Sequence, residues 1–158
     1  MSANPHPLAV VAEELPERPR PTLGVFTARI GGRQKRVLGD VFGLTNFGVN
    51  LTRLPPGAIS ALRHAHTRQD ELVYILQGEP TLVTNAGETR LRPGMCAGFK
   101  AGTGDAHHLV NRGGGDVVFI EVGDRTAGDE VAYPDDDLQA ALGPDGKYRY
   151  RHKDGTPY

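Results

Sequence analysis

Four of the chain's six histidines fall in two short patches, His64/His66 and His107/His108, and Glu71 follows the first patch by five residues. Three imidazoles and one carboxylate (His64, His66, His107 and Glu71) are a ligand set for one divalent metal ion per chain. Imidazole-rich sites with a single carboxylate accept Zn, Fe, Mn, Ni, Co or Cu, so the residue types do not choose among them. Four protein ligands leave one or two positions open on a five- or six-coordinate ion, as a catalytic site requires and a structural one does not. Glu71 has a second use: it can act as a proton acceptor if it leaves the metal.

These side chains need elements that bring them together. On a strand, His64 and His66 share a face because side chains alternate with a period of two. A short turn at Thr67–Asp70 then returns the chain, and Glu71 opens the next strand. With Glu71 inward, Val73 and Ile75 are inward too, while Leu72, Tyr74 and Leu76 face the other way. Such a strand, apolar on both faces, suits a barrel wall covered by a second sheet or a subunit. His107 and Asn111 share a face, and His108 points away from it.

The 158 residues fit one domain. With 21 Gly, 12 Pro and no Trp, many turns and short strands are expected rather than long helices. Residues 1–21 form a Pro-rich arm in which only Val10–Leu15 could turn helical. The arm is either a loose leader or a segment that packs on a partner subunit through Leu8, Val10, Val11 and Leu15. Residues 22–158 make up the domain. Strands are predicted at Thr22–Ile30, Arg36–Leu44, Asn46–Leu54, Glu71–Leu76, Thr81–Thr84, Glu88–Arg92, Met95–Phe99, His107–Arg112 and Val117–Val122. Asn85-Ala86-Gly87 reads as a hairpin turn. Asp136–Leu142 is the one short helix expected, and Lys147–Lys153 reads as a charged edge strand. Many short strands at even spacing argue for an antiparallel sandwich or barrel.

Composition excludes several functions. The formal net charge is −1 and no long Lys/Arg run exists, which disfavours nucleic-acid binding. No apolar stretch approaches the ~20 residues that span a bilayer, and Met1–Arg20 does not read as a signal peptide. The single cysteine, Cys96, allows no internal disulfide and favours a reducing, cytoplasmic setting. Cys96 itself is expected to be a small buried residue. Asn111 is read as a brace for a loop or a ligand histidine, or as a simple turn residue. Phe99 is expected in the core or lining the pocket, and Tyr74 is expected to pack outward. Arg53 and Arg63 could meet an anionic substrate or lie on the solvated surface. Asp70 reads as a turn carboxylate.

The stretch Pro56-Gly57 through His64-x-His66-x4-Glu71-x6-Gly78 resembles the first motif of the cupin superfamily. Gly94-x5-Lys100-x-Gly102 followed by His107-x3-Asn111 resembles the second. Lys100 stands where that family commonly has proline, and the gap from Gly102 to His107 is longer than usual, which leaves His108 as the alternative fourth ligand. Tyr133–Leu138 and Asp154–Tyr158 resemble a group of small bacterial single-domain cupins, some of them loosely described as sugar-phosphate isomerases. The resemblance implies an all-β double-stranded β-helix, or jelly-roll barrel, and a homodimer paired through its sheets. It also implies a metal-dependent enzyme acting on a small polar or anionic molecule, of the dioxygenase or the isomerase/lyase class. The alternative is a non-catalytic small-molecule binding or sensing module.

Overall fold

The computed structural model of the chain describes residues 5–19 and 24–158. Among these, one short helix, α1 (Val25–Arg29), precedes twelve strands: β1 (Gln34–Val37), β2 (Phe47–Leu54), β3 (Ala65–His66), β4 (Glu71–Gln77), β5 (Thr81–Thr84), β6 (Gly87–Arg90), β7 (Cys96–Phe99), β8 (His108–Val110), β9 (Val117–Asp124), β10 (Glu130–Tyr133), β11 (Leu138–Leu142) and β12 (Tyr148–Arg151). They form three sheets, with orders β1-β2-β9-β4-β7, β12-β11-β10-β3 and β6-β5-β8. All the strand pairings are antiparallel. A bridge between His64 and His107 ties the four-stranded sheet to the three-stranded one. The architecture is all-β, of the jelly-roll type.

Alternation along the strands builds the core. Val73 and Ile75 on β4, Leu54 on β2, and Val117 and Phe119 on β9 are buried in one cluster. Register explains the match, since Ile75 and Thr52 both lie opposite Phe119. Leu72, Tyr74 and Leu76 take the other face, as expected, and are 43%, 43% and 47% exposed. Gly78 ends β4 at φ 77°, and a Cβ there would meet the Asp116 carbonyl oxygen at 2.5 Å, so this turn admits only glycine.

Four sequence expectations need correction. The predicted strand Thr22–Ile30 contains helix α1 instead; Thr22 and Leu23 lie outside the described residues. One helical turn puts Phe26 and Ile30 four residues apart on the same side, and both are buried at 6% exposure. The predicted strand Arg36–Leu44 is cut short at Val37, and the chain then makes a 3₁₀ turn at Asp40–Phe42 ending on left-handed Gly43. The predicted helix Asp136–Leu142 is strand β11, paired on both sides by β10 and β12. Leu138 and Ala140 are buried with a period of two, which outweighs the helical preference of the Gln-Ala-Ala run. Cys96 is exposed rather than buried, because it lies opposite outward-facing Tyr74. Strand β10 was not anticipated.

In the arm, a 3₁₀ turn at Ala12–Glu14 falls within the expected Val10–Leu15 patch. The Arg18 N–H donates to the Lys35 carbonyl at 2.7 Å, so this part of the arm lies along edge strand β1.

Candidate metal centre

The backbone brings the two histidine patches together. His64 and His107 exchange both backbone hydrogen bonds, at 3.2 and 2.8 Å, so their side chains rise from directly opposed residues. The ring centroids are 4.9 Å apart. His66 follows on β3, opposite Val131 of β10. The turn between β3 and β4 is held by two carboxylates, one at the end of β9 and one in the loop after it. Asp129 accepts the Arg68 and Gln69 N–H groups at 2.8 and 3.2 Å, and Asp124 accepts that of Asp70 at 2.8 Å. Glu71 then opens β4 between Phe99 of β7 and Gly123 of β9.

The side chains converge on one point. Glu71 Oε2 lies 3.6 Å from His64 Nε2, 3.6 Å from His66 Nε2 and 3.0 Å from His107 Nε2. Ligand atoms of His64, His66 and Glu71 all lie within 4.8 Å of one another, with His107 beside them against Glu71. Bonds of about 2.1 Å to one ion would place neighbouring donors roughly 3.0–3.4 Å apart, so the set is close to the spacing a divalent ion needs. Glu71 Oε2 is buried and has no hydrogen-bond partner among the described residues. A buried carboxylate oxygen facing imidazole nitrogens is a donor set that could hold a cation.

Hydrogen bonds on the far side of two rings fix their tautomers. His64 Nδ1 lies 2.8 Å from the Leu62 carbonyl, and His66 Nδ1 lies 2.6 Å from Asp129 Oδ2. Both partners accept, so both Nδ1 atoms carry the hydrogen and both Nε2 lone pairs face the centre. His107 is held differently: its ring stacks on Phe99 at 3.5 Å and 1°. His108 turns its Nδ1 to the Ala61 carbonyl at 3.0 Å.

Electrostatics agree with this arrangement. Burial works against the charge on Glu71, but the imidazoles of His107 and His64 outweigh it and hold the carboxyl well below its usual range. Burial likewise opposes charging His64, yet Glu71 raises it on balance. Asp129 is fully buried; His66, the Arg68 N–H and the Tyr148 hydroxyl overcome desolvation and hold it low.

The other residues singled out from the sequence have plain roles. Asn111 is buried and braces a loop, donating to the carbonyls of Leu54 and Gly115 and accepting from the Gly113 N–H. Arg53 pairs with Asp116 and Arg63 with Asp135, and neither lines the cavity at the centre. Asp70 is an exposed turn residue that accepts the Ala101 N–H. The sequence reading missed Asp129 and Tyr148, and it missed the polar cavity residues Arg33, Lys35 and Glu121. Asp129 stands 63 residues from His66, with no spacing rule to link them. The cavity, about 90 Å³, is lined by His64, Glu71, His107 and Phe99 as well.

Comparison with known proteins agrees with this fold. The cupin-domain family profile matches residues 50–123. A crystal structure described as a sugar phosphate isomerase from a cupin superfamily, from Silicibacter pomeroyi DSS-3, shares 38% identity. The alignment covers 95% of this chain and 96% of that one, with a TM-score of 0.89. The chain therefore belongs to the cupin superfamily. A candidate sugar phosphate isomerase from Acidithiobacillus ferrooxidans is 28% identical over 80% of each chain, with a TM-score of 0.71. A Thermotoga maritima protein, 20% identical over 74% of this chain and 98% of that one at a TM-score of 0.60, shares the fold. Among curated proteins, none matches.

Proposed function

We propose that this cupin is a metal-dependent enzyme whose divalent ion is held by His64, His66, Glu71 and His107. The observation that carries the reading is the convergence of three imidazole Nε2 atoms on the buried Glu71 Oε2 beside an open cavity. An ion bound there supplies a Lewis acid that polarises a carbonyl or hydroxyl oxygen of the substrate. The chain's own residues orient and protect. Asp129 and the Leu62 carbonyl aim two imidazoles, and Phe99 shields one side of His107 from water. Glu71 is the carboxylate placed to take a proton when it is not bound to the ion.

Of the dioxygenase and isomerase/lyase classes, we favour isomerase or lyase chemistry on a small sugar phosphate. The support is the likeness, over nearly the whole chain, to a protein described as a sugar phosphate isomerase. Protein purified without added metal is expected to carry about one ion per chain by elemental analysis, and His64→Ala/His66→Ala is expected to lose it. Full occupancy in that variant would end the metal assignment. Turnover of sugar phosphates, catechols and β-diketones with defined metals then separates the classes. A ligand that binds tightly but is recovered unchanged with every metal would make the chain a binding module.

We also propose a homodimer formed through the outer face of the five-stranded sheet, where Leu72, Tyr74 and Leu76 are exposed. Exposed Leu8 and Val11 on the arm add apolar surface that a second subunit would cover. Light scattering should give about twice the 17.0 kDa chain mass, and a monomer refutes the pairing. The placement remains cytoplasmic in this reading, with Cys96 a free exposed thiol. Among the described residues no helix is long and apolar enough to cross a membrane.

A further inference from the structure

One wall of the metal-site cavity carries charge of its own. Arg33, Lys35 and Glu121 line it together with His64, Glu71 and His107. Lys35 lies opposite Thr52 on β2, and Thr52 lies opposite Phe119 on β9, so the register places Lys35 on the inner face of the sheet. Glu121 lies opposite both Asn50 and Val73, again on that face. Lys35 and Glu121 form an ion pair whose side chains are only 20% and 21% exposed, and Asn50 Nδ2 donates to Glu121 at 3.0 Å. Arg33 donates to the Ser60 carbonyl at the same cavity.

Stability does not explain this arrangement. Drawing a lysine and a glutamate out of water costs about as much as their attraction returns, and apolar residues of similar volume would hold the wall at least as well. Two cations, Arg33 and Lys35, stand on this wall with one carboxylate, Glu121, next to the candidate metal centre. Fixed cations in a half-enclosed site attract an oxyanion and give it charge-assisted hydrogen bonds.

We infer that Lys35 and Arg33 form an oxyanion subsite beside the metal centre, taking the phosphate group of a small phosphomonoester in preference to a carboxylate, with Glu121 as the counter-ion that the phosphate competes with for Lys35. The inference rests on the reading of this cavity as the ligand site and deepens it. The wall matches a doubly charged phosphate better than a singly charged carboxylate. The cavity, at about 90 Å³, has room for such a group.

The test is calorimetric titration of inorganic phosphate, and separately of acetate, into wild-type protein, Lys35→Gln and Glu121→Gln, with metal content measured on each sample. Phosphate is expected to bind wild type more tightly than acetate does. Lys35→Gln should weaken phosphate binding about 10-fold through loss of a charge-assisted bond. Glu121→Gln should tighten it a few-fold, because the competing carboxylate is gone; a variant that merely misfolds cannot do this. Equal phosphate affinity in Lys35→Gln and wild type overturns the subsite. So does failure of Glu121→Gln to tighten binding, acetate binding as tightly as phosphate, or no phosphate binding at all. If the order Glu121→Gln, wild type, Lys35→Gln holds while every sample lacks metal, the subsite stands and the metal-dependent reading falls.

Discussion

His66, on β3, and His107, just before β8, face the same carboxylate oxygen, yet they are secured in opposite ways. His66 gives its Nδ1 hydrogen to Asp129, which also accepts the Arg68 and Gln69 N–H groups and the Tyr148 hydroxyl at 2.8 Å. Every part of that bracing is polar, and Asp129 is fully buried. The Nδ1 of His107 is buried with no hydrogen-bond partner among the described residues, and its ring lies flat on Phe99. Hydrogen bonding fixes both the plane and the tautomer of a ring. Stacking fixes only the plane. The β3–β4 half of the centre is therefore preset for one protonation pattern, while His107 must settle its tautomer when an ion arrives.

The contrast predicts unequal costs. Asp129→Asn keeps the size of the side chain but gives His66 a neutral, weaker acceptor. Metal affinity, measured by chelator competition, should fall roughly 10- to 100-fold, the usual cost of losing the partner that orients a ligand. Circular dichroism would confirm that the barrel persists. The same substitution should change the acid response. Asp129 is held below its ordinary value of 3.8, so its contribution to folding is present above that pH and is lost as the pH falls through the lower folded value. Asp129→Asn should flatten that part of the stability–pH curve, and an unchanged acid limb would mean the carboxylate does not hold the β3–β4 turn.

On the other side, Phe99→Leu keeps an apolar side chain but removes the flat face under His107. A ring stack contributes about 0.5–1.5 kcal/mol beyond the area it buries, so metal affinity should drop only a few-fold. A loss as large as that in Asp129→Asn would break the comparison. Stacking would then be positioning His107 as strongly as hydrogen bonds position His66.

The same division explains what could be read in the sequence. His64, His66 and Glu71 are legible because they sit within eight residues of chain, where a period of two and a short turn are enough to place them. Strands β2, β4, β5 and β9 are legible for a similar reason: each is a β-branched or aliphatic run closed by turn residues. The second half of the site depends on how the separate sheets meet. His107 could be named from its residue type and motif, but its approach to Glu71 needs the His64–His107 bridge. Asp129, Tyr148, Lys35 and Glu121 arrive from loops and strands whose own sequences carry no sign of the centre. The Gln-Ala-Ala run at 139–141 has a helical preference, and only the neighbouring strands β10 and β12 make it extended. Local pattern reached what local geometry assembles. It missed what is set by contacts between segments far apart in the chain.

The smallest effect is expected one step further from the ion. The Tyr148 hydroxyl supplies one of the donors to Asp129 from edge strand β12. Tyr148→Phe leaves Asp129 with His66 and two backbone N–H groups, so the carboxylate stays charged and still aims the imidazole. The lost hydrogen bond should cost about 0.5–1.5 kcal/mol of stability. For a domain of this size that is a fall in melting temperature of about 1–6 °C. Metal affinity should drop by clearly less than in Asp129→Asn. The double variant is the sharper measurement: if Tyr148 acts on the centre only through Asp129, adding Tyr148→Phe to Asp129→Asn should cost no further metal affinity. Additive losses would show that Tyr148 reaches the centre by another route, through the edge contact of its ring with His66 at 6.4 Å.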